Sequence, residues 1–222
     1  MDDGISSVLS GERRWCVVCA DCIEVMNEMD GDYSVISDPP YGIGYEAGNL
    51  PGSLVFDPIH GDDREFDHSP VLGLDVPTIL WGANNYAGSL PRGAWICWDK
   101  RCCEAADRCL GSPIELAWYS GKRFGIARIQ HGGAVNDDGS GVPRVHPTQK
   151  PVRLMRWCIR HLRLEPGSVV FDPYCGSGTT GVACLQEGMR FIGVEIDEGY
   201  AEITRKRIAN EDAQLKMFEG DG

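Results

Sequence analysis

Two short segments of this chain carry residue types that suit transfer of a group to a weak nitrogen nucleophile. The first is Asp38-Pro39-Pro40-Tyr41, which follows the apolar run Tyr33 to Ile36 and so falls at a strand's carboxyl end, where open α/β sheets place their ligands. An amino group on an aromatic ring is a poor nucleophile because its lone pair is delocalised. Two acceptors, one for each N–H, favour the geometry in which that lone pair is free. Asp38 offers a carboxylate and Pro39 a carbonyl, and the prolines stiffen the turn and remove two backbone donors. Tyr41 adds a flat face on which an extruded base can stack. Alone, the four residues also read as an ordinary rigid turn.

The second segment runs from Ser168-Val-Val-Phe171 into Asp172-Pro-Tyr-Cys175-Gly176-Ser177-Gly178-Thr179-Thr180-Gly181. Strand, glycine turn and helix start come in that order, with a literal GxGxxG. Gly176 and Gly178 let backbone approach a ligand, and the N–H groups opening the next helix are donors for its anionic part. About 20 residues on, Glu195 is placed to accept from ribose hydroxyls. This pattern fits a nicotinamide cofactor or S-adenosylmethionine equally, and also a tight packing turn. No Lys-Ser/Thr follows, which argues against a triphosphate P-loop.

Both segments need a sheet to hold them. Runs at 15–19, 33–36, 78–81, 94–98, 114–118, 168–171 and 191–194 are short, rich in β-branched or aromatic residues and bounded by turn residues, so they predict strands. Helical patterns lie at 22–29, 104–110, 152–162, 179–187 and 198–209. The alternation predicts an α/β fold with a doubly wound, mainly parallel sheet, and 222 residues suit one catalytic domain over 1–222. Segments 42–76 and 121–147 are rich in Gly, Pro, Asp and His without periodicity, as expected of substrate-recognition insertions.

The formal charge of −12 weighs against a nucleic-acid partner until its distribution is read. Residues 120–163 hold nine Lys/Arg against Asp137 and Asp138, about +7, which leaves about −19 elsewhere. That is one basic face on an acidic body, or simply a solvated helix face. Cys16, Cys19 and Cys22 make a CxxCxxC spacing, but no second ligand pair follows, so no metal is expected. No apolar run reaches membrane-span length and the start is acidic, so a cytoplasmic protein is expected.

Taken together, the motifs resemble the β-class DNA amino-methyltransferases, whose Asp-Pro-Pro-Tyr precedes a His-Pro-Thr-Gln-Lys-Pro segment and then the Phe-x-Gly-x-Gly-type loop. Here Asp38–Tyr41, His146–Pro151 and Phe171–Thr179 stand in that order, a circular permutation of the cofactor-first layout of this Rossmann-like fold. The chain departs in one respect, an Asp-Pro inserted after Phe171. The resemblance implies S-adenosylmethionine as cofactor and double-stranded DNA as substrate, with adenine N6 as target and cytosine N4 or RNA as alternatives; an inactive cofactor-binding subunit is a further one. It implies catalysis by Asp38, Pro39, Pro40 and Tyr41. It also implies cofactor contacts from Asp21, Asp38, Thr148, Lys150, Phe171, Asp172, Cys175, Gly176, Ser177, Gly178, Thr179, Thr180 and Glu195, with Thr148 and Lys150 closing over the methionine carboxylate. Lys122, Arg123, Arg128, His131 and Arg144 are the DNA-contact candidates, and Trp81–Tyr86 either shapes the pocket or caps a helix through Asn84 or Asn85. A homodimer and a bacterial or phage setting, with or without a restriction partner, complete the expectation.

Overall fold

The computed structural model describes residues 2–44, 60–101, 112–130 and 149–219. Its eight strands are β1 (Trp15–Cys19), β2 (Ser34–Ser37), β3 (Thr78–Trp81), β4 (Ala94–Asp99), β5 (Ile114–Tyr119), β6 (Gly125–Arg128), β7 (Val169–Asp172) and β8 (Arg190–Glu195). They form one sheet in the order β1-β8-β7-β2-β3-β5-β4-β6. Every neighbouring pair is parallel except the two that β5 makes with β3 and β4. The mainly parallel sheet expected from the sequence is therefore present. The strand carrying the glycine loop, seventh in the chain, lies near the middle of the sheet.

Helices cover both faces. On one side α4 (Val152–Leu162), α5 (Thr179–Gln186) and α6 (Glu198–Glu219) enclose Ile36, Trp81, Val170 and Phe191. On the other, α1 (Asp3–Ser10), α2 (Cys22–Glu28) and the single turn α3 (Ser69–Leu72) enclose Val35, Leu80, Phe171 and Ile192. Alternate residues of one strand thus enter opposite cores, and this is why β2 and β7 bury every residue and show no alternation of apolar and polar side chains. Helix α4 begins after Pro151 and buries Val152, Met155, Cys158 and Ile159, the spacing of one helical face.

All seven strands expected from the sequence form. β6 lies within the stretch read as irregular; it is too short and too exposed on one face to show periodicity. Helix α1 was also missed. Asp2 caps it by accepting from the Gly4 N–H at 2.7 Å, and Gly11 ends it with φ of +89°. The helix expected at 104–110 lies outside the described residues, as do 45–59 and 131–147 of the two stretches read as irregular.

Candidate active site

Because β1, β8, β7, β2 and β3 run the same way, their carboxyl ends share one edge of the sheet. Asp21, Glu195, the glycine loop, Asp38 and Gly82 are brought to that edge together. β2 and β7 are immediate neighbours, and a buried hydrogen bond ties their ends: the Ser37 hydroxyl donates to Asp172 Oδ1 at 2.6 Å. Asp172 also accepts from the Thr180 hydroxyl at 2.7 Å and from the Tyr174 N–H at 3.2 Å. Burial pushes its carboxyl up to about 6, against the pull of those donors.

The Asp-Pro-Pro-Tyr turn is held by an ionic cluster. The Tyr41 hydroxyl donates to Asp38 Oδ1. Lys150 donates to Asp38 Oδ2 at 2.7 Å and to the Tyr41 hydroxyl at 3.0 Å, and its ammonium lies 3.2 Å from Glu115 Oε2. Lys100 pairs with the other Glu115 oxygen. Burial raises the Asp38 carboxyl and Lys150 opposes the rise. Burial works the same way on Glu115, but Lys150 and Lys100 win and hold it down at about 2. Lys150 is 7% exposed, and its two carboxylates raise its pKa despite burial. Beneath, the Tyr41 ring lies so close to Gly82 that a Cβ there would sit 1.9 Å from the ring. The sequence left open whether Trp81–Tyr86 caps a helix through Asn84 or Asn85. No side chain caps the short turn that follows Gly82, and Asn85 Nδ2 instead donates back to the Gly82 carbonyl at 3.0 Å.

The glycine loop is braced from two sides. Glu195 Oε2 accepts from the Gly176 N–H at 2.9 Å, and the Thr204 hydroxyl of α6 donates to the Gly176 carbonyl at 2.5 Å. Asp21 caps α2, accepting from the Ile23 N–H at 2.8 Å. Thr179, the first residue of α5, has a buried hydroxyl without a hydrogen-bond partner among the described residues. An orphaned polar atom at a helix N-terminus fits a site for a ligand.

The expected cofactor residues therefore divide. Asp21, Gly176, Ser177, Gly178, Thr179 and Glu195 line the carboxyl edge. Phe171 is instead fully buried edge-on against Tyr33, and Cys175 is packed beside Gly193. Asp172 and Thr180 satisfy each other. The side chains of these four support the loop. Lys150, expected over a methionine carboxylate, points its ammonium at Asp38 and Glu115. Thr148 lies outside the described residues, with His131 and Arg144.

Of the DNA-contact candidates, Lys122 and Arg128 are exposed at β6. Arg123 is exposed too, but its guanidinium donates to the His161 carbonyl at the end of α4. The basic stretch is also less free than its count suggests, because Arg156 and Arg160 both pair with Glu187. Sequence reasoning missed Ser37, Lys100 and Glu115. Ser37 alone had a signal, as a small polar residue in a buried run beside the turn. Glu115 reaches the edge only because β5 runs antiparallel, which no local pattern reveals.

Residues 111–206 match the family model described as DNA methylase. This segment is similar to the N6/N4 DNA methylases. It contains β5, the Lys150 arm, the glycine loop and Glu195, about half of the site just described. The Type II methyltransferase M2.DpnII of Streptococcus pneumoniae is 46% identical over 66 residues, 30% of this chain and 24% of that protein. The DNA adenine methyltransferase YhdJ of Escherichia coli is 41% identical over 63 residues, 28% of this chain and 21% of that protein. The matched stretches thus span less than a third of these relatives. Among solved structures, the M1.HpyAVI–SAM complex superimposes with a TM-score of 0.54 at 19% identity, covering 87% of this chain and 98% of that one. The cytosine-N4-specific PvuII DNA methyltransferase gives 0.58 at 14%, covering 90% and 91%. At these identities the likeness establishes the fold alone.

Proposed function

We propose that this chain transfers the methyl group of S-adenosylmethionine to N6 of adenine in double-stranded DNA, acting on a base flipped out of the duplex. The observation that carries the reading is the union of the Asp38 turn and the glycine loop on adjacent parallel strands, tied by Ser37 and Asp172. Thr179 and the backbone of Gly176, Ser177 and Gly178 would hold the methionine part of the cofactor, Glu195 its ribose and Asp21 its adenine end. Bound there, S-adenosylmethionine supplies an electrophilic sulfonium methyl. The chain's own part is to present the nucleophile: Asp38 and the Pro39 carbonyl accept the two amino N–H bonds, and Tyr41 offers its ring to the base. Among the described residues each Asp38 oxygen accepts one hydrogen bond, which leaves a lone pair for this purpose. Lys150 serves the carboxylate of Asp38 rather than that of the cofactor. Lys122 and Arg128 contact phosphates, alongside His131 and Arg144. A homodimer in a bacterial or phage cytoplasm fits the family reading.

Incubation with labelled S-adenosylmethionine and duplex DNA, followed by nucleoside analysis, tests this directly. N6-methyladenine is the expected product. N4-methylcytosine would replace the base assignment, label in RNA alone would replace the substrate, and no transfer to any nucleic acid would overturn the reading.

A further inference from the structure

We infer that Asp62, outside every motif above, is the positioning residue of the Asp-Pro-Pro-Tyr turn. Asp62 is 4% exposed, yet it stands in a segment of Gly, Asp, Arg and Glu without apolar neighbours in sequence. Its Oδ1 accepts from three successive backbone N–H groups: Tyr41 at 2.9 Å, Gly42 at 2.8 Å and Ile43 at 3.4 Å. Its carbonyl accepts from the Gly44 N–H at 2.8 Å. One aspartate thus stitches 41–44 to its own loop. Gly42 permits the contact, since at φ of +71° a Cβ there would lie 2.3 Å from the Arg64 carbonyl oxygen.

The physical reason for a carboxylate is plain. The two prolines remove donors from 39 and 40, so the turn cannot fasten itself, while the N–H groups that follow converge on one point. A charged acceptor there gives the stronger, shorter bonds of a charge-assisted site. Lys150 holds the turn by its side chains and Asp62 holds it by its backbone. Tyr41 is gripped at both ends, by its hydroxyl and by its N–H. In a site where ångström misplacement costs orders of magnitude, Asp62 sets where Asp38 and Tyr41 stand relative to the glycine loop.

The inference rests on the proposed methyl transfer for its kinetic consequence but not for its structural one, and the test separates them. Asp62→Ala and Asp62→Asn are compared with wild type by amide hydrogen exchange, by titration with S-adenosylhomocysteine and by methyl-transfer kinetics on duplex DNA. In Asp62→Ala, protection of amides 41–43 should fall at least about tenfold. Cofactor affinity should stay within about twofold and kcat should fall about tenfold or more. Asp62→Asn keeps an oxygen in place and should recover most of both losses. Should the alanine variant not fold, Asp62→Ser is read the same way. Unchanged protection at 41–43 overturns the inference, as does lost protection with wild-type kcat. If the wild type itself transfers no methyl group, the functional reading fails and the exchange result alone decides Asp62.

Discussion

Replacing Lys150 by methionine keeps the length of the side chain and removes its charge. Lys150 lies 2.7 Å from Asp38, 3.0 Å from the Tyr41 hydroxyl and 3.2 Å from Glu115, at 7% exposure. At an effective dielectric of about 20, each carboxylate contact is worth roughly 5–6 kcal/mol before desolvation. Desolvation returns much of that, and removing one partner of a buried pair costs about 3–5 kcal/mol because it strands the other. The expected loss in urea unfolding at pH 7 is therefore about 3 kcal/mol, roughly 6–12 °C in Tm for a chain of this size. The pH dependence has a definite sign. Glu115 is held at about 2 in the folded protein, below its usual 4.5, so its contribution is present above about 4.5 and lost as pH falls toward 2. Methionine removes the main cation holding it there, so the gap between variant and wild type should narrow as pH falls through that window. A loss under about 1 kcal/mol with a constant gap would refute the ionic-cluster account. If cofactor affinity then fell more than tenfold, Lys150 would belong to the methionine carboxylate after all.

Two further perturbations probe the neighbours of that cluster. Gly82→Ala places a methyl group 1.9 Å from the Tyr41 ring at a φ of +67°, and should cost about 2–4 kcal/mol and most methyl transfer; wild-type stability and turnover would show that the ring is not seated on Gly82. Asp172 is raised to about 6 from 3.8, so the folded state holds its proton more tightly and this group's contribution to stability grows as pH falls from about 6 to about 4. Asp172→Asn should flatten that rise, worth about 3 kcal/mol, in unfolding free energies measured between pH 7.5 and 4. An identical slope in both proteins would assign the dependence to another group.

The parts of this fold that were legible in the sequence are those in which local pattern and tertiary role coincide. β2 and β7 bury both faces, and β-branched residues bounded by turns suffice to mark them. The glycine loop was legible because strand, turn and helix follow one another without interruption. α1 was missed although Asp2 and Gly11 mark its ends, because Ile5, Val8 and Leu9 make an apolar face only about one turn long among serines. In the site, Asp38 and Tyr41 were found by their chemistry. Glu115, Lys100 and Asp62 were not, since each matters through where a distant segment crosses the sheet edge. Lys150 was found, and its ammonium is directed at Asp38 and Glu115. Its charge was readable, whereas its choice between a protein carboxylate and a ligand carboxylate depends on geometry.

That choice bears on how a buried carboxylate can serve as an acceptor at all. Burial alone drives Asp38 toward its neutral form, in which one oxygen carries a proton and accepts poorly. A single buried cation would correct this but would itself be stranded whenever Asp38 took a proton. The cluster avoids both outcomes by being neutral overall, with Asp38 and Glu115 against Lys150 and Lys100, and by chaining the charges so that Glu115 holds Lys150 independently of Asp38. Lys150 can therefore favour the ionised acceptor without depending on it. The tie from Ser37 to Asp172 and the grip of Asp62 on the backbone fix that acceptor against the glycine loop, so the charge of the turn and its position are set by different residues.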